Sequence, residues 1–86
     1  MMTERIFKSM MNKIPAGEYN LDAYGMWCLY QNICPKSYKD TSKFENKMRY
    51  DSFCRMFDET KYGFEYRFKG RIRYVGTNNL NFLVVE

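Results

Sequence analysis

The stretch Glu65-Tyr66-Arg67-Phe68-Lys69-Gly70-Arg71-Ile72-Arg73-Tyr74 alternates aromatic and charged residues around a glycine. Period-two alternation broken by a turn residue predicts a β-hairpin. A loop Phe68-Lys69-Gly70 with Gly70 in the left-handed region pairs Arg67 with Arg71, Tyr66 with Ile72, Glu65 with Arg73 and Phe64 with Tyr74. Opposed side chains share a face. One face is then apolar (Phe64, Tyr66, Ile72, Tyr74), while the other carries three arginines and one glutamate. Strands are expected over about 62–67 and 71–76, with a basic, aromatic tip. A turn at Thr77-Asn78-Asn79 leads into a last strand, 80–85. Pairing Gly76 with Leu80 sets Phe82 beside Tyr74 and Val84 beside Ile72.

Upstream the period is helical. Thr3 can cap a helix whose apolar positions are Ile6, Phe7, Met10, Met11 and Ile14, ended by Pro15-Ala16-Gly17. Glu18-Tyr19 reads as a short extended piece. Asn20 then caps a second helix, Leu21 to about Asn32, stopped by Cys34-Pro35. It is apolar nearly all round, which places Trp27 in the core. After a polar basic loop over 35–41, Ser42 and Glu45 form a capping box for a third helix to about Glu59. Its main apolar arc is Tyr50, Phe53, Cys54 and Phe57; Phe44 and Met48 lie on nearly the opposite side. The expected fold is one α+β domain over residues 1–86, with three helices packed on a three-stranded antiparallel β-meander.

Composition bounds the function. The chain has 86 residues, a net charge of +4 and no histidine. Residues 1–60 hold nine Lys/Arg against eight Asp/Glu and residues 61–86 five against two, so the last third carries most of the excess. Without histidine the usual general base near neutral pH is missing. No glycine-rich phosphate cradle or carboxylate pair stands out, so a non-catalytic binding protein without cofactor is expected. Cys28, Cys34 and Cys54 are odd in number and lack Cys-x-x-Cys spacing, which favours reduced core thiols over a disulfide framework or a metal site. The N-terminus shows no apolar leader segment and no stretch is long enough to span a bilayer, so a cytoplasmic location is expected.

Two kinds of partner fit these residues. Arg67, Lys69, Arg71 and Arg73 can meet phosphates, with Phe68 stacking on a base. Alternatively, Phe44 and Met48, with Lys36 and Tyr38 in the basic loop, can form a mixed apolar and basic surface for a protein partner. A homodimer through a free strand edge or through Phe44 and Met48 is a third possibility.

The order helix, Gly17-Glu18-Tyr19, helix, helix and basic hairpin resembles a winged-helix DNA-binding domain over residues 3–76. The resemblance implies that the third helix enters the major groove, with Lys43, Lys47, Arg49 and Arg55 toward DNA, and that the hairpin is the wing. The third helix also carries Glu45, Asp51, Asp58 and Glu59, which interrupt any basic stripe. In style, the Lys-, Asn-, Tyr- and Met-rich chain is similar to small early bacteriophage proteins that inactivate host enzymes.

Overall fold

The computed structural model describes residues 2–86. Helix α1 spans Glu4–Asn12, strand β1 Gly17–Asn20, helix α2 Ala23–Ile33 and helix α3 Phe44–Thr60. A one-turn helix α4, Phe64–Arg67, precedes strands β2, Ile72–Gly76, and β3, Asn81–Val85. The three long helices and the three-stranded antiparallel sheet give the α+β class expected from the sequence. The sheet is not a meander: β3 is central, in the order β1-β3-β2. The extended piece at Glu18-Tyr19 is thus a sheet strand.

Local chemistry sets the helix ends. The Thr3 hydroxyl accepts from the Ile6 N–H at 3.2 Å, as its position predicts. Helix α2 is capped by Asp22 in place of Asn20, its carboxylate accepting from the Gly25 N–H at 2.6 Å. Gly25 is also a close-approach site, because a Cβ there would fall 1.8 Å from the Asn20 carbonyl oxygen. The expected capping box of α3 does not form. Ser42 instead donates to the Asp40 carboxylate, from its N–H at 3.2 Å and its hydroxyl at 2.5 Å, and α3 starts at Phe44 without a side-chain cap.

The expected strand over 62–67 is helical: residues 61–63 form a 3-10 turn that runs into α4. Phe64 and Phe68 both face the core, their rings 5.7 Å apart, and Phe64 packs on Phe57 at 5.1 Å. Residues four apart lie on one face of a strand and of a helix alike, so this pair fits both. Tyr66 separates them: a strand would turn it inward with its neighbours, whereas α4 leaves it 92% exposed. The turn closes with the Gly70 N–H on the Glu65 carbonyl at 2.7 Å, the six-to-one bond of a Schellman cap. Gly70 is left-handed as expected (φ 74°), and Lys69 before it is left-handed too (φ 56°).

The β2–β3 hairpin exists, but one residue out of the expected register. Gly76 pairs with Asn81, Tyr74 with Leu83 and Ile72 with Val85. The loop is one residue longer than expected, because the Thr77 N–H donates to the Leu80 carbonyl at 2.7 Å and the Thr77 hydroxyl accepts from the Leu80 N–H at 3.0 Å. A one-residue slip exchanges the two faces of a strand. Leu83 and Val85 therefore enter the core with Ile72, and Phe82 and Val84 face away from it.

The core is a contiguous aromatic and methionine cluster. Phe53 meets Phe7 at 5.5 Å, Tyr30 at 5.3 Å and Phe57 at 6.3 Å. Trp27 is not among the buried residues. It lies half-buried at the α2–α3 junction, edge-on to Tyr50 at 5.1 Å. Of the thiols, Cys34 is buried, and Cys28 and Cys54 are half-buried. No helix among the described residues is long and apolar enough to cross a membrane.

The helical turn has a direct test in chemical denaturation. Phe68→Ala is expected to cost about 3–5 kcal/mol, because it empties a core position. Tyr66→Ala is expected to stay within about 0.5 kcal/mol, as for an exposed site. Comparable losses at the two positions would restore the strand reading.

Candidate functional site

The basic residues singled out in the sequence do not converge on one surface. Arg71 does not point to a partner: its guanidinium donates to the Ile14 carbonyl at the end of α1, and its other terminal nitrogen is buried without an acceptor. This side chain ties the start of β2 to the first helix. Arg67 pairs with Glu4 at 3.0 Å, again bridging to α1. Phe68 is 5% exposed, so the stacking role expected of it is withdrawn. The expected basic hairpin tip is instead a helix end braced against α1.

Arg49 is likewise occupied. It donates to Asn46 Oδ1 at 2.7 Å and lies over the Tyr38 ring at 4.4 Å. Asn46, a buried polar residue of α3, donates from Nδ2 to the carbonyls of Ser37 at 3.1 Å and Asp40 at 2.8 Å. The Tyr30 hydroxyl adds a bond to the Tyr38 carbonyl at 3.3 Å. The basic loop 35–43 is therefore pinned to α2 and α3. Lys36, Lys39 and Lys43 project from a fixed backbone, and Tyr38 is half-buried as a structural contact. A lone buried asparagine carries no periodic signal, so the pattern of the sequence gave no warning of this clamp.

The outer face of α3 has mixed charge. Lys47 sits 3.8 Å from Asp51, and Lys61 sits 3.9 Å from Asp58. Lys43, Lys47 and Arg55 are exposed there beside Glu45, Asp51, Asp58 and Glu59, three cations against four carboxylates. Among the candidate nucleic-acid contacts, Lys43, Arg55, Lys69 and Arg73 make no ion pair among the described residues.

Apolar side chains are the stronger feature of this face. Phe44 is 75% exposed and Met48, one turn on, 47%. Beside Met48 is a hollow of about 240 Å³ lined by Met2, Ser52, Arg55, Met56 and Glu59. Methionine-lined surfaces adapt to partners of irregular shape. A second exposed aromatic feature, absent from the sequence-based expectations, lies at the other end of the molecule. Tyr62 stands edge-on to Tyr74 at 5.4 Å, with the Lys61 ammonium 5.3 and 5.4 Å from the two rings. These tyrosines border an open depression of about 450 Å³ with Gly76, Thr77, Asn78 and Asn81.

Burial raises the Cys34 and Cys54 thiols above their ordinary range, which lowers their thiolate fraction near neutral pH. No protein-family model, curated protein or solved structure matches this chain.

Two measurements check the clamp. Asn46→Ala is expected to cost about 1–3 kcal/mol by leaving the Ser37 and Asp40 carbonyls unbonded, and to speed amide exchange over 37–42. A stable variant with unchanged exchange would show that the loop holds itself. Tyr30 supplies a pH signature: burial foremost, with Cys34 adding to it, raises its phenol from 10.0 to about 12. Because the folded value is raised, the contribution to stability is complete below the unfolded value and is lost as pH climbs from about 10 to about 12. Tyr30→Phe is expected to flatten that alkaline loss in melts recorded across the window; an unchanged slope would assign it to another group.

Proposed function

We propose that this protein is a non-catalytic binding domain whose partner is another protein, engaged through the N-terminal half of α3. One observation carries the reading: Phe44 and Met48 stand exposed on successive turns of a helix whose opposite arc fills the core. A phenylalanine held in water forgoes about 1.5–3 kcal/mol of burial that a partner's pocket can supply. Aromatic and methionine side chains are enriched at interfaces, and a few such anchors carry most of the binding energy. Lys43 and Lys47 lie on one side of Phe44 with Glu45 and Asp51 nearby, so the complementary surface is an apolar cleft whose rim carries both signs of charge. An adaptor or inhibitor of a larger protein fits this apolar surface with its rim of mixed charge.

A nucleic-acid regulator is the second reading, and one observation favours it. With the one-turn α4 set aside, the order helix, strand, helix, helix, strand, strand is compatible with the winged-helix resemblance. In that arrangement α3 would face DNA and the β2–β3 hairpin would be the wing. Against it, the outer face of α3 is richer in carboxylates than in cations, and the hairpin loop Thr77-Asn78-Asn79-Leu80 is uncharged. Lys43, Arg55, Lys69 and Arg73 are the residues left to meet phosphates.

Site-specific photocrosslinking separates the readings. A benzophenone side chain at position 44 is expected to capture one discrete protein from extract of the source cells, and the same group at position 66 to capture none. Phe44→Ser/Met48→Ser is expected to weaken that complex at least about 100-fold, with little change between low and high salt. Binding of labelled duplex DNA that falls steeply with salt and is lost on neutralising Lys43, Arg55, Lys69 and Arg73 would replace this reading with the second.

A further inference from the structure

The outward face of the sheet is apolar at its centre and oppositely charged at its two edges. Cross-strand pairing gives two outward rows. Glu18 pairs with Val84, which pairs with Arg73; Asn20 pairs with Phe82, which pairs with Val75. The alternate rows, with Ile72, Leu83 and Val85, enter the core. Val75, Phe82 and Val84 are half-buried, yet belong neither to the core cluster nor to the side chains packed against it. Leu80, just before β3, is 59% exposed. Glu18 and Arg73 flank Val84 on opposite edge strands, and neither makes an ion pair among the described residues.

The geometry points to a second copy of this chain as the cover of this face, in a two-fold dimer packed sheet on sheet. Place the two-fold axis in the interface, parallel to β3. Rotation about it lays Val84 over Val84 and Phe82 over Phe82, and brings β1 of each copy over β2 of the other. Glu18 of each copy then faces Arg73 of the other, making two symmetric ion pairs around an apolar centre. A two-fold axis perpendicular to β3 would oppose Arg73 to Arg73 and Glu18 to Glu18. The edge charges therefore favour one packing and disfavour the other, as electrostatic complementarity does at specific interfaces. Sheets packed face to face are about 10 Å apart, a gap that arginine and glutamate side chains span together.

The same residues set the strength. Three strands of about five residues cover about 14 by 17 Å per copy. That is well under the ~800 Å² per partner of a standard interface. The dimer is therefore weak and concentration-dependent.

Sedimentation velocity from about 5 µM to 1 mM tests it, because a weak dimer dissociates across such concentrations. The unaltered protein is expected to shift from monomer to dimer. Glu18→Arg and Arg73→Glu are each expected to raise the dissociation constant about tenfold, and the double exchange to return it to within about threefold. Phe44→Ser/Met48→Ser is expected to leave it unchanged, which separates this interface from the partner surface on α3. Circular dichroism confirms the fold of each variant, and Val84→Lys provides a second disruption independent of the charged pair. A protein monomeric up to 1 mM, a double exchange no better than the single ones, or loss of the dimer in the Phe44/Met48 variant would each overturn the inference.

Discussion

The packing of Phe64 and Phe68 against the end of α3 is the constraint from which the C-terminal third takes its form. The aromatic contacts run without a break from Tyr50 through Tyr30, Phe53 and Phe57 to Phe64 and Phe68. A chain of this size is near the lower limit for a self-sufficient core, and large aromatic side chains extend that limit. One helical turn after α3 buries Phe64 and Phe68 together and leaves Tyr66 between them exposed. That turn leads the chain into β2 along the edge of the sheet and leaves β3 to enter between β1 and β2. Arg67 and Arg71 then reach back to α1, so the basic residues of this segment serve as braces for the geometry that the phenylalanines impose.

The legible parts of the sequence were those where one period dominates. The face of α1, the main arc of α3, the stop at Cys34-Pro35 and the left-handed Gly70 all follow from local rules, whereas α2, apolar nearly all round, gave no face to read and left Trp27 half-buried and Tyr24 exposed. The illegible parts were those where two periods agree on the decisive residues. Phe64 and Phe68 share a face in either conformation, and Tyr66, between them, has both an apolar ring and a polar tip. In β3 the run Phe82-Leu83-Val84-Val85 is apolar at every position, so alternation could not fix its register. A single hydrogen-bonded residue in the loop decided it.

That second ambiguity has a physical meaning. A strand apolar on both faces belongs in a sheet covered on both sides. Here the helices cover one side, and the other keeps Val84 between Glu18 and Arg73, with Phe82 and Val75 in the next row. The charge of the candidate site was equally hard to assign from composition. A net charge of +4 measures the excess of cations and says nothing of where they are spent. Arg49, Arg67 and Arg71 are engaged within the fold, and Lys47 lies beside a carboxylate.

Apart from the Tyr62–Tyr74 depression, what remains after the core is satisfied is an apolar surplus on the α3 face and on the sheet face, and the two differ in kind. The sheet face is flat, shallow and self-complementary in charge, features that suit an identical surface. The α3 face presents a protruding phenylalanine beside a methionine-lined hollow, with lysines on one side only. The protruding anchor of α3 suits a concave partner surface, while the charge pattern of the sheet suits an identical one. A dimer joined by its sheets would also carry two copies of the α3 surface, so a partner with two matching sites would bind more tightly than either contact allows alone.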